Sequence, residues 1–471
     1  MVLPLLHRDG HNPLYVQLFK YLIKEIQSSR IPCGSRLPSK RRLSSQLGIS
    51  LNTVDSAYQQ LLAEGYIESS PRRGMFVAYK EERLMNTESP APSLPARTIH
   101  SSQTKLIDFS HGQVDTQHFP FQLMRKYSRQ IFSLEGSSSF QNGPYQGSLL
   151  LRQEIARYLY QARGVCCDPS QVVIGSGTQF LLGQLLSLFP ADIPFAMENP
   201  GFHRIRELAN NLNLKLINIP VESDGLAIKP VQLLEMGLVY TTPSHQFPLG
   251  AIMPVSKRLK LIKWANEQTD RYLIEDDYDG EFRYIGKPIP SLQGLDQGEK
   301  VIYFGTFSKS FIPSLRISYM VLPNLLASRY QKQFRLMKQT ASSLNQQLIY
   351  LFMNSGEWEH HLNRMRTLYK QKHQTIVEEI QRNLSKRVTI IGEKSGLHLV
   401  LESGNGMTEQ ELIDSAITKG VKVYPMSIYY ASGLEPEHPQ VLLGYGGLSD
   451  SEIRNGVRHM SLAWNNQSHL L

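Results

Sequence analysis

The sequence predicts a multi-domain protein: a small N-terminal winged helix-turn-helix, a polar linker, and a large α/β body with a smaller C-terminal α+β subdomain. Three observations predict it. The chain has 471 residues, too many for one ordinary domain. Its first eighty residues show dense helical periodicity that ends in two short strand-like runs around a turn. Beyond Leu106, short apolar runs alternate with longer helical patterns, which implies a mostly parallel sheet covered on both faces. The expected boundaries are 1–78 for the head, 79–105 for the linker and 106–471 for the body, with the small subdomain starting near 345.

Within the head, Asn12-Pro13 precedes an amphipathic stretch in which Leu14, Leu18, Tyr21, Leu22 and Ile26 recur at helical spacing. Ser39 is a good N-cap for a second helix over Lys40 to Leu47, which Gly48 closes. Ser50 caps a third helix from Leu51 to about Glu64, closed by Gly65. Two short helices joined by the tight Gly48-Ile49-Ser50 turn make a helix-turn-helix. Tyr66-Ile67-Glu68 and Met75-Phe76-Val77 read as strands joined by Pro71-Arg72-Arg73-Gly74, a wing with two arginines at its tip.

Charge points the same way. Residues 1–83 hold 12 Lys/Arg against 7 Asp/Glu, a net +5, while the remainder of the chain holds 38 against 34. A basic head on a nearly neutral body suits a polyanion. Lys40, Arg41 and Arg42 open the second helix, where cations oppose the helix dipole; a DNA phosphate would favour them there. The third helix is placed to enter the major groove, with Asn52, Thr53 and Ser56 in its first turns, residue types able to read base edges or contact phosphates. Arg72 and Arg73 would meet phosphate or minor groove. The stretch from Leu37 to Val77, LPSKRRLSSQLGISLNTVDSAYQQLLAEGYIESSPRRGMFV, resembles the GntR family of winged-helix regulators. Leu51 stands where that family usually has Arg, which suggests an altered DNA site.

The linker, Tyr79 to Lys105, is polar and carries Pro90, Pro92 and Pro95. The hydrophobic fraction of 41% and charged fraction of 19% are those of a globular protein. No apolar run is long enough to span a bilayer, and Met1 to Gly10 lacks the pattern of a secretory signal, so a cytoplasmic location is expected. Cys33, Cys166 and Cys167 lack metal-ligand spacing and read as reduced thiols. His360 and His361 are adjacent and cannot share a helix face, so no metal is expected there.

In the body, Val172-Val173-Ile174, Leu238-Val239-Tyr240, Tyr272-Leu273-Ile274 and Val301-Ile302-Tyr303-Phe304 read as strands. The chemistry-bearing residues follow their ends. Lys309, in Gly305-Thr306-Phe307-Ser308-Lys309-Ser310, leaves a buried-looking strand into a small hydroxylic loop, at the sheet edge where α/β ligands sit. A lysine that forms a Schiff base needs a lowered pKa, which burial supplies. Asp276 and Tyr278 follow the strand Tyr272 to Glu275; a carboxylate there can pair with a protonated pyridine nitrogen and a tyrosine can donate to a phenolate oxygen. Gly175-Ser176-Gly177-Thr178-Gln179 lies between a strand and an apolar helix, whose first amides suit a phosphate dianion.

Together these features resemble the fold-type I aminotransferases and, with the head attached, the MocR/GabR-type transcription regulators. The resemblance covers nearly the whole chain. It implies pyridoxal 5'-phosphate (PLP) held as an internal aldimine on Lys309, with Asp276 on the pyridine nitrogen and Tyr278 on the ring oxygen. Gly177, Thr178, Thr306 and Arg316 would hold the phosphate, and Phe202 would stack on the ring. In Pro243-Ser244-His245-Gln246-Phe247-Pro248, either Gln246 or His245 stands where aminotransferases keep an Asn near the ring oxygen. Many such enzymes hold the substrate carboxylate with a late arginine, but Val441-Leu442-Leu443-Gly444-Tyr445 has none. Arg204 is then the carboxylate candidate, and Arg206 reads as an outward helix charge. Two functions stand open: a DNA-binding regulator that senses an amine, an amino acid or PLP itself, and a working aminotransferase with a regulatory head. The missing arginine favours the first. A homodimer is expected in either case.

Overall fold

A computed structural model describes residues 6, 12–79, 106–133, 140–284, 289–385 and 387–465. Residues 80–105 of the expected linker lie outside them. The chain divides into two compact units, Met1–His100 and Ser101–Leu471. Among the described residues, no helix is long and apolar enough to cross a membrane.

The head contains α1 (Leu14–Gln27), α2 (Lys40–Leu47), α3 (Leu51–Ala63), β1 (Ile67–Ser70) and β2 (Gly74–Val77). Its core is one cluster in which Leu18, Leu22 and Ile26 of α1 meet Leu43 of α2 and Val54, Ala57, Tyr58 and Leu61 of α3. The caps are those the sequence predicts. Ser39 Oγ accepts from the Arg42 amide at 3.3 Å and Ser50 Oγ from the Thr53 amide at 3.1 Å. Gly48 closes α2 at φ 61°, a left-handed conformation that costs glycine little. Strands β1 and β2 pair antiparallel from Ile67↔Val77 to Ser70↔Gly74.

The body is built on an eight-stranded sheet in the order Val172–Gly175, Ser318–Val321, Val301–Thr306, Arg271–Asp277, Gly237–Thr241, Pro194–Asn199, Lys215–Glu222, Gly225–Leu226. The five strands from Val301–Thr306 to Lys215–Glu222 run parallel. Ser318–Val321 runs antiparallel to both neighbours. Alternate residues enter opposite faces, as strand geometry requires. Ile302 and Phe304 join one core with the helices Thr178–Leu186 and Asn324–Phe334, while Tyr303 packs on the other side with Ile155 and Leu159 of the helix Leu149–Arg163.

The smaller subdomain has an antiparallel sheet of Val388–Ile391, His398–Ser403, Gln440–Gly444 and Tyr424–Pro425, packed by Glu357–Leu384, Glu409–Thr418 and Asp450–Asn465. The start of the body also belongs here: Ile107–Asp108 pairs with Val421–Lys422, and Phe109 is buried in the same core. On the long helix His361 is buried, its Nε2 2.9 Å from the Ser310 carbonyl, while His360 faces solvent.

Candidate functional site

The C-terminal ends of the sheet strands converge on a cavity of about 180 Å³. Gly177, Thr178, Phe202, Arg204, Asp276, Tyr278, Thr306, Lys309 and Arg316 all line it, together with Tyr240, Gln179, Ser308 and Ser318. Residues far apart in sequence therefore meet at one sheet edge, where open α/β sheets place ligands.

Lys309 leaves the strand Val301–Thr306 and donates from Nζ to the His111 carbonyl. Burial pushes its amine down to about 8, against the pull of Asp279. Near neutrality such a lysine is a free nucleophile far more often than an exposed one. The same burial, reinforced by the charges of Lys309 and Arg204, pushes His111 down to about 3 and keeps it neutral.

Asp276 is the last residue but one of its strand, with the side chain buried. Oδ2 accepts from the Tyr240 hydroxyl, and Oδ1 has no protein partner. Burial raises the carboxyl to about 7, with Asp277, Asp279 and Glu198 adding to the rise and Tyr240 opposing it. A buried acceptor with an open lone pair is costly unless a donor meets it. A protonated ring nitrogen is such a donor, so the residue fits a pyridine cofactor.

The end of the cavity at Gly177 is shaped to suit an anion. Gly177 has φ +119° and precedes the helix Thr178–Leu186, with no side chain capping the first amides. A Cβ built there would lie 2.6 Å from Arg316 Nη2, so only glycine leaves the guanidinium room. Arg316 also donates to the Ser176 carbonyl at 3.1 Å. Thr306 Oγ1 is held by Ser308 and Ser318 at 3.0 Å each. Helix amides, a guanidinium and hydroxyls form a dianion cradle.

The aromatic wall differs in detail from the sequence expectation. Phe202 lines the cavity but stacks on Phe247, ring centroids 3.9 Å apart and planes within 14°. Tyr278 stands edge-on to Phe202 and its hydroxyl is 2.9 Å from His245 Nδ1. Of the two residues weighed for the ring-oxygen position, Gln246 does not line the cavity. Its amide nitrogen is spent on Pro200 and Phe247 carbonyls at 2.9 and 2.6 Å, and its Oε1 accepts from the Leu249 amide. His245 does not line the cavity either; it lies behind Tyr278, which does.

Arg204 is exposed at the cavity, whereas Arg206 is not the outward charge expected from its spacing. It is buried, and it binds the Tyr429 carbonyl and Asn199 Oδ1 at 3.1 Å each. Tyr240 was missed by sequence reasoning. Its signal was its place in an apolar strand beside the one that carries Asp276, visible only once strand order is known.

In the head, Arg41, Arg42, Asn52, Ser56, Arg72 and Arg73 are exposed. Thr53 is half-buried, its hydroxyl 2.8 Å from Ser50 Oγ. Lys40 forms an ion pair with Asp55 of α3, which already gives its charge a partner within the head. Arg72 holds the wing turn at φ +61°, and the Arg73 guanidinium lies over the Phe76 ring at 5.6 Å.

Comparison with known proteins agrees with both halves. Residues 14–77 match the family of bacterial regulatory proteins described as gntR, and residues 104–459 match aminotransferase class I and II. The chain is 44% identical to the uncharacterized HTH-type transcriptional regulator YdeL of Bacillus subtilis, over 98% of this chain and 99% of that one. It is 32% identical to the probable rhizopine catabolism regulatory protein MocR of Rhizobium meliloti, over 98% and 95%. Among solved structures, kynurenine aminotransferase of Pyrococcus horikoshii, in complex with PMP, has a TM-score of 0.70 at 23% identity, covering 78% of this chain and 93% of that one. The chain therefore belongs to the MocR-type transcription regulators, in which a DNA-binding gntR head precedes a domain of aminotransferase class I and II fold.

Proposed function

We propose that this regulator holds PLP on Lys309 and reads an amine, an amino acid or PLP itself through that cavity to set the DNA affinity of its head. The observation that carries this reading is the meeting of Lys309, the open Oδ1 of Asp276 and the Gly177–Arg316 cradle in one cavity. When bound, PLP supplies an electrophilic carbon on which an incoming amine can replace the lysine. Asp276 would hold the ring nitrogen, Tyr278 would donate to the ring oxygen, and Phe202 would bound one side of the ring. Thr178, Thr306 and Arg316 would bind the phosphate, with Gly177 leaving them space. Arg204 would receive an effector carboxylate; the strand Gln440–Gly444, which lacks arginine, is buried and offers no second cation. A sensor needs only this exchange, because a ligand with different affinity for two states shifts their balance.

On the DNA side, Arg41, Arg42, Arg72 and Arg73 would bind phosphates, and Asn52, Thr53 and Ser56 would face the bases. Lys40 would brace α2 on α3 beside them. The protein would act in the cytoplasm as a homodimer, on an operator with paired half-sites.

The test is a visible absorption titration of the PLP-loaded protein with a panel of amines and amino acids, alongside DNA binding. One amine that moves both the band and the DNA affinity supports the sensor reading. Release of a keto acid with steady turnover would instead favour a working aminotransferase, and a band that no amine moves would favour PLP itself as the signal.

A further inference from the structure

The first stretch of the body after the linker, Ile107 to Asp115, is held by the smaller subdomain. The Ile107 and Phe109 amides donate to the Gly420 and Lys422 carbonyls at 2.9 and 3.0 Å, and the Phe109 carbonyl accepts from the Gly444 amide at 2.7 Å. Tyr424 donates to Asp108 at 2.8 Å, and Lys372 to Asp115 at 2.6 Å with both side chains buried. Two glycines clear the way for this stretch. A Cβ at Gly444 would lie 2.2 Å from His111 Cα, and one at Gly456 would lie 2.5 Å from the Phe109 ring. Backbone approaches this close leave no space for a side chain.

In the middle of the stretch, the His111 carbonyl accepts from Lys309 Nζ, which reaches it from just beyond the strand Val301–Thr306 of the eight-stranded sheet. Among the described residues, that carbonyl is the hydrogen-bond partner of Nζ. The bond therefore joins two parts of the body. On one side is a stretch anchored on the smaller subdomain, and on the other is the lysine that lines the cavity. A hydrogen bond from a cationic donor is among the stronger single contacts a protein makes.

We propose that the His111 carbonyl is the resting partner of a free Lys309 amine, and that this bond makes the stretch 107–113 a reporter of whether the amine is free. The link has a simple chemical basis. When Nζ bonds to a carbonyl carbon with loss of water, it keeps at most one proton and is turned from His111 toward the cavity. When an incoming amine takes that carbon, its two protons pass to Nζ as the old carbon–nitrogen bond breaks. Nζ then returns as a primary amine, able to donate to His111 again, and no oxidant or reductant is needed. The stretch is thus tied when the amine is free and untied when it is bonded. Because Leu106 follows directly on the linker, the tie lies where the chain leads to the head. The release half of this device rests on the PLP reading above; the tie itself does not.

The experiment is amide hydrogen exchange of the full chain, read by mass spectrometry on the peptide covering residues 106–113. Without PLP, Lys309→Met should exchange there about tenfold faster than wild type, the scale of one lost charge-assisted hydrogen bond. Wild type loaded with PLP should match that variant. Methoxyamine, which takes the cofactor carbon and frees the lysine whatever the natural effector, should restore the slow rate. Gly444→Ala, which crowds His111 without touching Nζ, should exchange fast in all three states, and it serves in place of Lys309→Met should that variant fail to fold. Equal rates for PLP-free wild type and the variants overturn the tie. Loading, confirmed by the visible band, that leaves the rate unchanged overturns the release, and so does a fast rate that methoxyamine fails to reverse. If no band forms, the PLP reading fails, while faster exchange in PLP-free Lys309→Met still supports the tie.

Discussion

Asp276 accepts a hydrogen bond from Tyr240 through one carboxylate oxygen and leaves the other without a protein partner. The pair fixes the orientation of the carboxylate from a neighbouring strand and leaves one acceptor for the ring nitrogen that the proposed PLP would bring. Tyr240→Phe should therefore leave the fold intact but weaken PLP retention, and Asp276→Asn should weaken it further. Equilibrium dialysis of PLP against each variant checks the order.

The buried acids also set a pH dependence. The folded pKa of Asp276 is raised from 3.8, and those of Glu275 and Glu281 from 4.5, each to about 7. A carboxyl that binds its proton more tightly in the folded state contributes stability that is fully present below its unfolded pKa and lost as pH rises through the folded one. The PLP-free protein should thus lose stability between about pH 4 and pH 7, and Asp276→Asn should flatten part of that fall. Thermal melts across this range, wild type against variant, measure it.

At the phosphate cradle, Gly177→Ala places a Cβ against Arg316 and forces a side chain into φ +119°. The strain is on the order of 1–3 kcal/mol. PLP affinity should drop by about tenfold or more, while pyridoxal, which lacks the phosphate, should bind the variant and the wild type alike. Equal losses for both ligands would remove the cradle from its assigned place.

For the wing, Arg72→Ala with Arg73→Ala should weaken binding to all DNA sequences and reduce the salt slope by roughly one to two units. Arg72→Gly is the better single change, because glycine keeps the left-handed turn that Arg72 occupies. Salt-dependent gel shifts on operator and random DNA provide the comparison.

What the sequence made legible was local. Ser39, Gly48, Ser50 and Gly65 punctuate the head within a few residues of where the helices start and stop, because caps act through their own neighbours. Lys309, Asp276 and Gly177 could be found because each sits at or just beyond the end of an apolar strand. What stayed hidden depends on residues far apart in the chain. Gln246 has the right chemistry for a ring-oxygen contact, but it is buried among Pro200, Phe247 and Leu249, whose backbone groups use its amide. Arg206 has surface spacing on its helix, yet the Tyr429 loop packs over it.

The most direct test of the central claim is reductive trapping with borohydride after loading with PLP, followed by peptide mass mapping. The account expects one stoichiometric pyridoxyl adduct, on the peptide that carries Lys309, and its loss in Lys309→Ala with basal DNA binding retained. An adduct spread over surface lysines, or none, would contradict it.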